Sequence, residues 1–243
     1  MIVVSSGKGG TGKSVVSGGL GTALCRLGKK VLLIDSDEGM SSLDLILGMS
    51  DAFVYDFADL VHRHCTPAQA IRPVSGVLGL FLITAPSDIG QLPSDKVISL
   101  FSNQLAGIFD YVIIDSPAGV GSGFIRAVNL QKNALIVVTP DPVSIRDAAR
   151  VQAMLGELGV KNVRMIINKF ETSLVEDGEL PNIDDVIDHS GIQLIGVIPN
   201  DVMVLRCYSA GIPVTSGRAA AALGRIAGRL EGSYIPLPPA KKI

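Results

Sequence analysis

The residues best suited to chemistry lie near the amino end, in Gly7-Lys8-Gly9-Gly10-Thr11-Gly12-Lys13-Ser14. Gly7-x-x-x-x-Gly12-Lys13-Ser14 is the spacing of a P-loop. Glycines at Gly7, Gly9, Gly10 and Gly12 let successive main-chain N–H groups, that of Thr11 among them, turn inward around a phosphate chain. Lys13 offers a point charge to the outer phosphates, and the Ser14 hydroxyl offers a ligand for Mg²⁺. A helix opening near Lys13 adds its positive end to the same place.

Acids that close apolar runs form a second set. Tyr111-Val112-Ile113-Ile114 ends in Asp115, and the run from Lys30 to Ile34 ends in Asp35. In parallel α/β sheets ligands sit beyond the carboxyl ends of the strands. Asp115 fits a Walker B carboxylate holding a metal-bound water beside Ser14, with a helix cap or turn as the alternative. Asp35 has the same position on another strand. Asp37, two residues further, could orient or deprotonate an attacking water, or be an ordinary loop acid. Lys8 is not demanded by the P-loop pattern. Either it is a solvated loop lysine, or it points at another subunit's nucleotide, where a cation supplied in trans can be worth ~10³ to 10⁵ in rate.

These groups need a sheet to carry them. After the opening strand Met1–Val4, apolar runs predict strands over 30–34, 78–84, 111–115, 135–138, 163–167 and 194–197. Helical spacing or capping predicts helices over 14–27, 42–47, 55–61, 67–71, 93–107, 143–158, 183–189, 202–210 and 218–230, and residues 170–181 read as polar loop. The alternation implies an α/β fold: a single-domain, three-layer α/β/α P-loop fold with a mostly parallel sheet over residues 1–230, followed by a proline-containing tail over 231–243.

Composition narrows the function. The 243 residues are 47% hydrophobic and 18% charged with a net charge of −2, which permits a large core and argues against a surface that coats nucleic acid. The opening strand leaves no secretory leader, no apolar run approaches the ~20 residues of a membrane span, and the expected compartment is the cytoplasm. Cys25, Cys65 and Cys207 are far apart and read as free thiols, which speaks against an iron–sulfur carrier.

With Lys8 in place, Lys8-Gly9-Gly10-Thr11-Gly12-Lys13-Ser14 resembles the deviant Walker A ATPases of the ParA/MinD group, in which this extra lysine is the signature. The similarity is closest to septum-site-determining proteins of the MinD type. It continues through Asp35-Ser36-Asp37 to Gly48, Phe109-Asp110-Tyr111 to Gly119, Pro140-Asp141-Pro142 to Ala148, and Gly196 to Val214. The resemblance implies a slow, partner-stimulated, Mg²⁺-dependent ATPase working as an ATP-dependent dimerisation switch in division-site selection. Lys13 would hold the β- and γ-phosphates, Lys8 would reach the partner's nucleotide in a homodimer, and Asp37 would position the hydrolytic water. Asn168 would read adenine, with Pro199, Asn200 and Asp201 lining the base. A division inhibitor or activator-like protein would dock on the dimer, with peripheral contact at the inner face of the cell membrane.

The chain departs from the family at several positions. Val15 stands in the nucleotide site where a second hydroxyl is usual, Ser42 where asparagine precedes Leu-Asp, and Gly121 where a glutamate is usual. The family's C-terminal amphipathic helix has no clear counterpart: Leu223, Ile226 and Leu230 fit a core helix, and prolines break the tail. A DNA-partitioning ATPase and a flagellar-number regulator of the same group are the alternative functions.

Overall fold

The computed structural model describes residues 1–37, 42–86, 104–105, 107–129 and 133–239. The strands are β1 (Ile2–Ser5), β2 (Val31–Asp35), β3 (Arg72–Pro73), β4 (Leu80–Ile83), β5 (Tyr111–Asp115), β6 (Asn133–Val138), β7 (Asn162–Phe170) and β8 (Leu194–Pro199). The longer helices are α1 (Lys13–Arg26), α5 (Ser122–Asn129), α6 (Pro142–Glu157), α8 (Ile183–Ser190), α9 (Val202–Ala210) and α10 (Gly217–Leu230). Shorter ones are α2 (Leu43–Ile46), α3 (Phe57–Val61), α4 (Pro67–Ala70) and α7 (Thr172–Glu176).

The eight strands form one sheet in the order β3-β4-β2-β5-β1-β6-β7-β8, parallel except for the antiparallel edge strand β3. Strand periodicity divides the core in two. Val3, Leu32, Ile34, Val112 and Ile114 face one way, against Phe57 of α3, Phe124 of α5, Ile145 and Val151 of α6 and Val186 of α8. Ile2, Val4, Val31, Leu33 and Ile113 face the other way, against Val16, Leu20 and Leu24 of α1 and Leu223 and Ile226 of α10. This is the expected three-layer fold. Both faces are covered, so the central strands are apolar throughout and only their last residues can be acids.

The differences from expectation are local. Strand β7 runs on to Phe170, and α7 interrupts the expected polar loop. Helix α5 escapes sequence reading because Ser122-Gly123 gives it a weak start, and β3 because it is two residues long and follows α4 directly. The expected helix over 93–107, apart from residues 104, 105 and 107, lies outside the described residues, as do switch residues 38–41 and tail residues 240–243. Helix α10 buries Leu223 and Ile226, as a core helix should. The start of the tail is tied down: the Ser233 N–H donates to Gly228 O at 2.9 Å, and Arg229 donates to both Ile235 O and Ile195 O at 2.7 Å. Among the described residues no helix is long and apolar enough to cross a membrane.

Helices α2 and α9 meet glycine to glycine. Gly48 has φ +67°, and a Cβ there would run into the Gly211 carbonyl oxygen. Gly48→Ala should therefore cost about 3 kcal/mol, of which about 1–2 is the left-handed backbone and the rest displacement of the Gly211 main chain. Gly28 has φ +81° but faces open space, so Gly28→Ala should cost only about 1–2 kcal/mol. Urea denaturation of the two variants measures the difference, and equal losses would contradict the close approach.

Candidate functional site

The site gathers where β1, β2 and β5 end. Residues 6–12 leave β1 and turn into α1, whose first residue is Lys13. Gly12 caps that helix in the left-handed region, at φ 85° and ψ 23°, and no side chain bonds the first turn. The first turn of α1 contains no acidic residue of its own, and its opening N–H groups face the loop. The loop is packed from outside. A Cβ on Gly7 would lie 2.5 Å from Asp147 Cβ, and one on Gly12 would lie 2.5 Å from Asn168 Nδ2. Gly9 and Gly10 are exposed, Thr11 is buried with its hydroxyl oxygen unpartnered, and Val15 packs against the core layer of α1. Where a hydroxyl would reach toward the ligand, Val15 contributes apolar packing instead.

Lys13 is buried, and its Nζ lies 3.1 Å from Asp115 Oδ1. The hydroxyl of Ser17, one helical turn beyond Lys13, donates to the same oxygen at 2.8 Å. Asp115 Oδ2 is buried and has no hydrogen-bond partner among the described residues. Asp35 stands opposite Asp115 in the β2–β5 register, and neither is exposed. Its Oδ1 accepts the Asp37 N–H at 3.1 Å, and its Oδ2 accepts those of Ser42 at 3.0 Å and Leu43 at 3.1 Å. Burial pushes the Asp35 carboxyl above its ordinary range and the Asp115 charge adds to this, while the three amides pull the other way. Asp37 is also pushed up by burial; Lys13 opposes the shift and Asp35 adds to it. This end of the sheet thus carries three carboxylates and one ammonium group, of which Asp115 and Lys13 are in contact.

That imbalance fits a divalent cation, and the atoms present fit Mg²⁺ in particular. Asp115 Oδ2 is an unused, buried, hard oxygen, and the Ser14 hydroxyl makes no hydrogen bond among the described residues. Those residues hold no group of three or more His, Cys, Asp or Glu side chains arranged for a metal. Mg²⁺ needs no such cage, since one or two carboxylates suffice when phosphates and waters supply the rest.

Lys8 belongs to a different neighbourhood. Its Nζ lies 3.0 Å from both oxygens of Asp141, with about a third of each side chain exposed. Asp141 caps α6, accepting the Ser144 N–H at 2.9 Å and the Thr139 hydroxyl at 2.6 Å. Burial works against its charge, but Thr139, Ser144 and Lys8 outweigh that and hold the carboxyl below its ordinary range. Lys8 is therefore neither a free solvated lysine nor part of the Lys13 pocket.

Asn168 and Lys169 hold the crest of the loop. Asn168 Nδ2 donates to Thr11 O and Lys169 Nζ to Gly10 O, each at 2.8 Å. Lys169 adopts φ +55° inside an irregularity of the β7–β8 pairing. Pro199 pairs with Phe170, and the Asn200 N–H donates to Phe170 O at 2.8 Å, which sets residues 199–201 beside the end of β7. Asp201 accepts the Met203 N–H at 2.9 Å and the Ala219 N–H at 3.0 Å, anchoring α9 and α10. The sequence reading did not single out Ser17, Thr139 or Lys169. Only Ser17 carried a signal, its i+4 spacing from Lys13.

Comparison with known proteins gives the family. Residues 2–214 match the model of the CobQ/CobB/MinD/ParA nucleotide binding domain. The septum site-determining protein MinD of Bacillus subtilis is 35% identical over 243 residues, covering 97% of this chain and 90% of that protein. A MinC:MinD cell division protein complex from Aquifex aeolicus contains a chain 35% identical to this one, with a TM-score of 0.90 and 98% of each chain covered. The septum site-determining protein MinD from Pyrococcus horikoshii, complexed with Mg-ADP, is 25% identical, with a TM-score of 0.83 and 95% of each chain covered. The chain belongs to the CobQ/CobB/MinD/ParA nucleotide-binding family, and MinD septum site-determining proteins are among the relatives it matches over almost its full length.

Proposed function

We propose that this protein is a Mg²⁺-dependent ATPase of the MinD kind, whose ATP-bound form pairs with a second copy and serves as a spatial switch in division-site selection. The observation that carries the reading is the separation of the two loop lysines: Lys13 is held inside by Asp115, and Lys8 outside by Asp141. On this reading the first cation would serve the chain's own phosphates. The other is held at the surface, on a carboxylate it can leave.

Lys13 would exchange Asp115 for the β- and γ-phosphates, while the N–H groups from Gly7 to Ser14 wrap the chain of phosphates. Ser14 and Asp115 Oδ2 would hold Mg²⁺, with Asp35 in support. When bound, Mg²⁺ neutralises phosphate charge as it develops in transfer. Asn168 and residues 199–201 would line the adenine. Asp37 would orient and deprotonate the attacking water. Burial raises its carboxyl above the ordinary range, which makes it a stronger base than an ordinary aspartate. Lys8 would leave Asp141 for the nucleotide of the second copy, so the closed dimer forms only around ATP. Turnover then resets a conformation, and slow hydrolysis stimulated by a partner suits that task. The Aquifex complex of MinC with MinD supports a protein partner for this chain. The expected location is the cytoplasm, with peripheral contact at the inner membrane face.

Lys13→Ala should abolish binding of a fluorescent ATP analogue. Lys8→Ala should still bind it but stay monomeric with ATP in light scattering. ATP-dependent pairing that survives Lys8→Ala would remove the switch from this account. Asp37→Asn should pair with ATP yet hydrolyse it at least about 10²-fold more slowly. In the unmodified protein hydrolysis should fall as pH drops through the Asp37 pKa, with a midpoint above the ordinary 3.8 because burial raises it. A pH–rate profile with an unshifted acid limb would exclude Asp37 as the base.

A further inference from the structure

Asp115 is held in the present structure by two donors on one oxygen, Lys13 Nζ at 3.1 Å and the Ser17 hydroxyl at 2.8 Å. The two donors differ in what a nucleotide does to them. Phosphates compete for Lys13, a charged group on a flexible stem. They cannot compete for Ser17, which lies a turn deeper in α1 and is fully buried. The Ser17 hydroxyl has one proton to give. It also lies 3.1 Å from Lys13 O, but the contact with the carboxylate is shorter and charge-assisted.

We infer that Ser17 is the positioning residue for Asp115: it keeps Oδ1 fixed after Lys13 moves to phosphate, so that the carboxylate holds its orientation and the unpartnered Oδ2 stays available to the metal. The inference rests on the Mg²⁺–nucleotide reading of the site. Ser17 touches neither nucleotide nor metal, and it acts through the orientation of a buried carboxylate. Without its hydroxyl, Oδ1 would have no donor once Lys13 departs, and the carboxylate could rotate or take up a proton. The loss should therefore appear as a weaker response to Mg²⁺, and the grip on the phosphates should remain.

The test is binding of a fluorescent ATP analogue to the full chain, in EDTA and across a Mg²⁺ titration, with thermal melting as the control for folding. Ser17→Ala should keep its affinity in EDTA within about twofold, and its half-maximal response should need about tenfold more Mg²⁺, the size expected for one hydrogen bond to a charged group. Ser17→Thr, which keeps the hydroxyl, should respond at the wild-type Mg²⁺ concentration. If Ser17→Ala does not fold, Ser17→Thr and Ser17→Val decide, because they share a shape and differ in the hydroxyl. An unchanged Mg²⁺ midpoint without the hydroxyl would overturn the inference. So would an equal loss of affinity in EDTA, which would make Ser17 a prop for the loop. Failure of the wild-type chain to bind the analogue at all would instead sink the nucleotide reading, and would show before any variant was compared.

Discussion

The structure depends on how it keeps charge at the end of the sheet. Asp35 and Asp115 are both unexposed and stand side by side on β2 and β5. An unpaired carboxylate in such a place would take up a proton or pull the strand end apart. Lys13 prevents this for Asp115 and three main-chain amides do so for Asp35. The two solutions differ in kind. The amides of Ser42 and Leu43 open α2, and that of Asp37 lies just past β2. The ammonium group sits on a flexible stem and can be drawn away by a stronger anion.

Around that centre the loop is held by parts of the chain far away in sequence. Asp147 fills the space beside Gly7, Asn168 and Lys169 take the carbonyls of Thr11 and Gly10, and Asp141 takes Lys8. All of these come from α6, its cap or the end of β7, which follow the loop by more than a hundred residues. A glycine-rich segment has little stiffness of its own. The fold supplies the stiffness, and the parallel sheet does so by bringing the ends of β1, β6 and β7 together on one side.

This division explains what could be read from the sequence. The loop, Asp35 and Asp115 were legible because each depends on local spacing: glycines before Lys13-Ser14, and an acid closing an apolar run. The layers were legible for the same reason, as runs buried on both faces alternate with amphipathic stretches. The contacts that set the state of the loop were not. Asp141 reads as a helix cap, and nothing near it in sequence announces Lys8. Lys169 reaches Gly10 only because β7 is irregular there and the residue takes φ +55°, a conformation that no lysine advertises. Ser17 looks like one more small residue on a buried helix until the register of β5 sets Asp115 beside it.

The sharing of Lys13 has a further consequence on the proposed reading. The Lys13 ammonium group balances the Asp115 carboxylate. A triphosphate carries more negative charge than that carboxylate, so it draws the ammonium group away. The same event leaves Asp115 buried with a hydroxyl on one oxygen and nothing on the other, a state whose cost falls sharply if a cation arrives beside Oδ2. Binding of phosphate therefore raises the affinity for a divalent cation at Asp115, and the cation raises the affinity for phosphate by the same factor. The coupling needs no movement of the sheet. It follows from a single lysine facing two anions of unequal charge in a largely buried place.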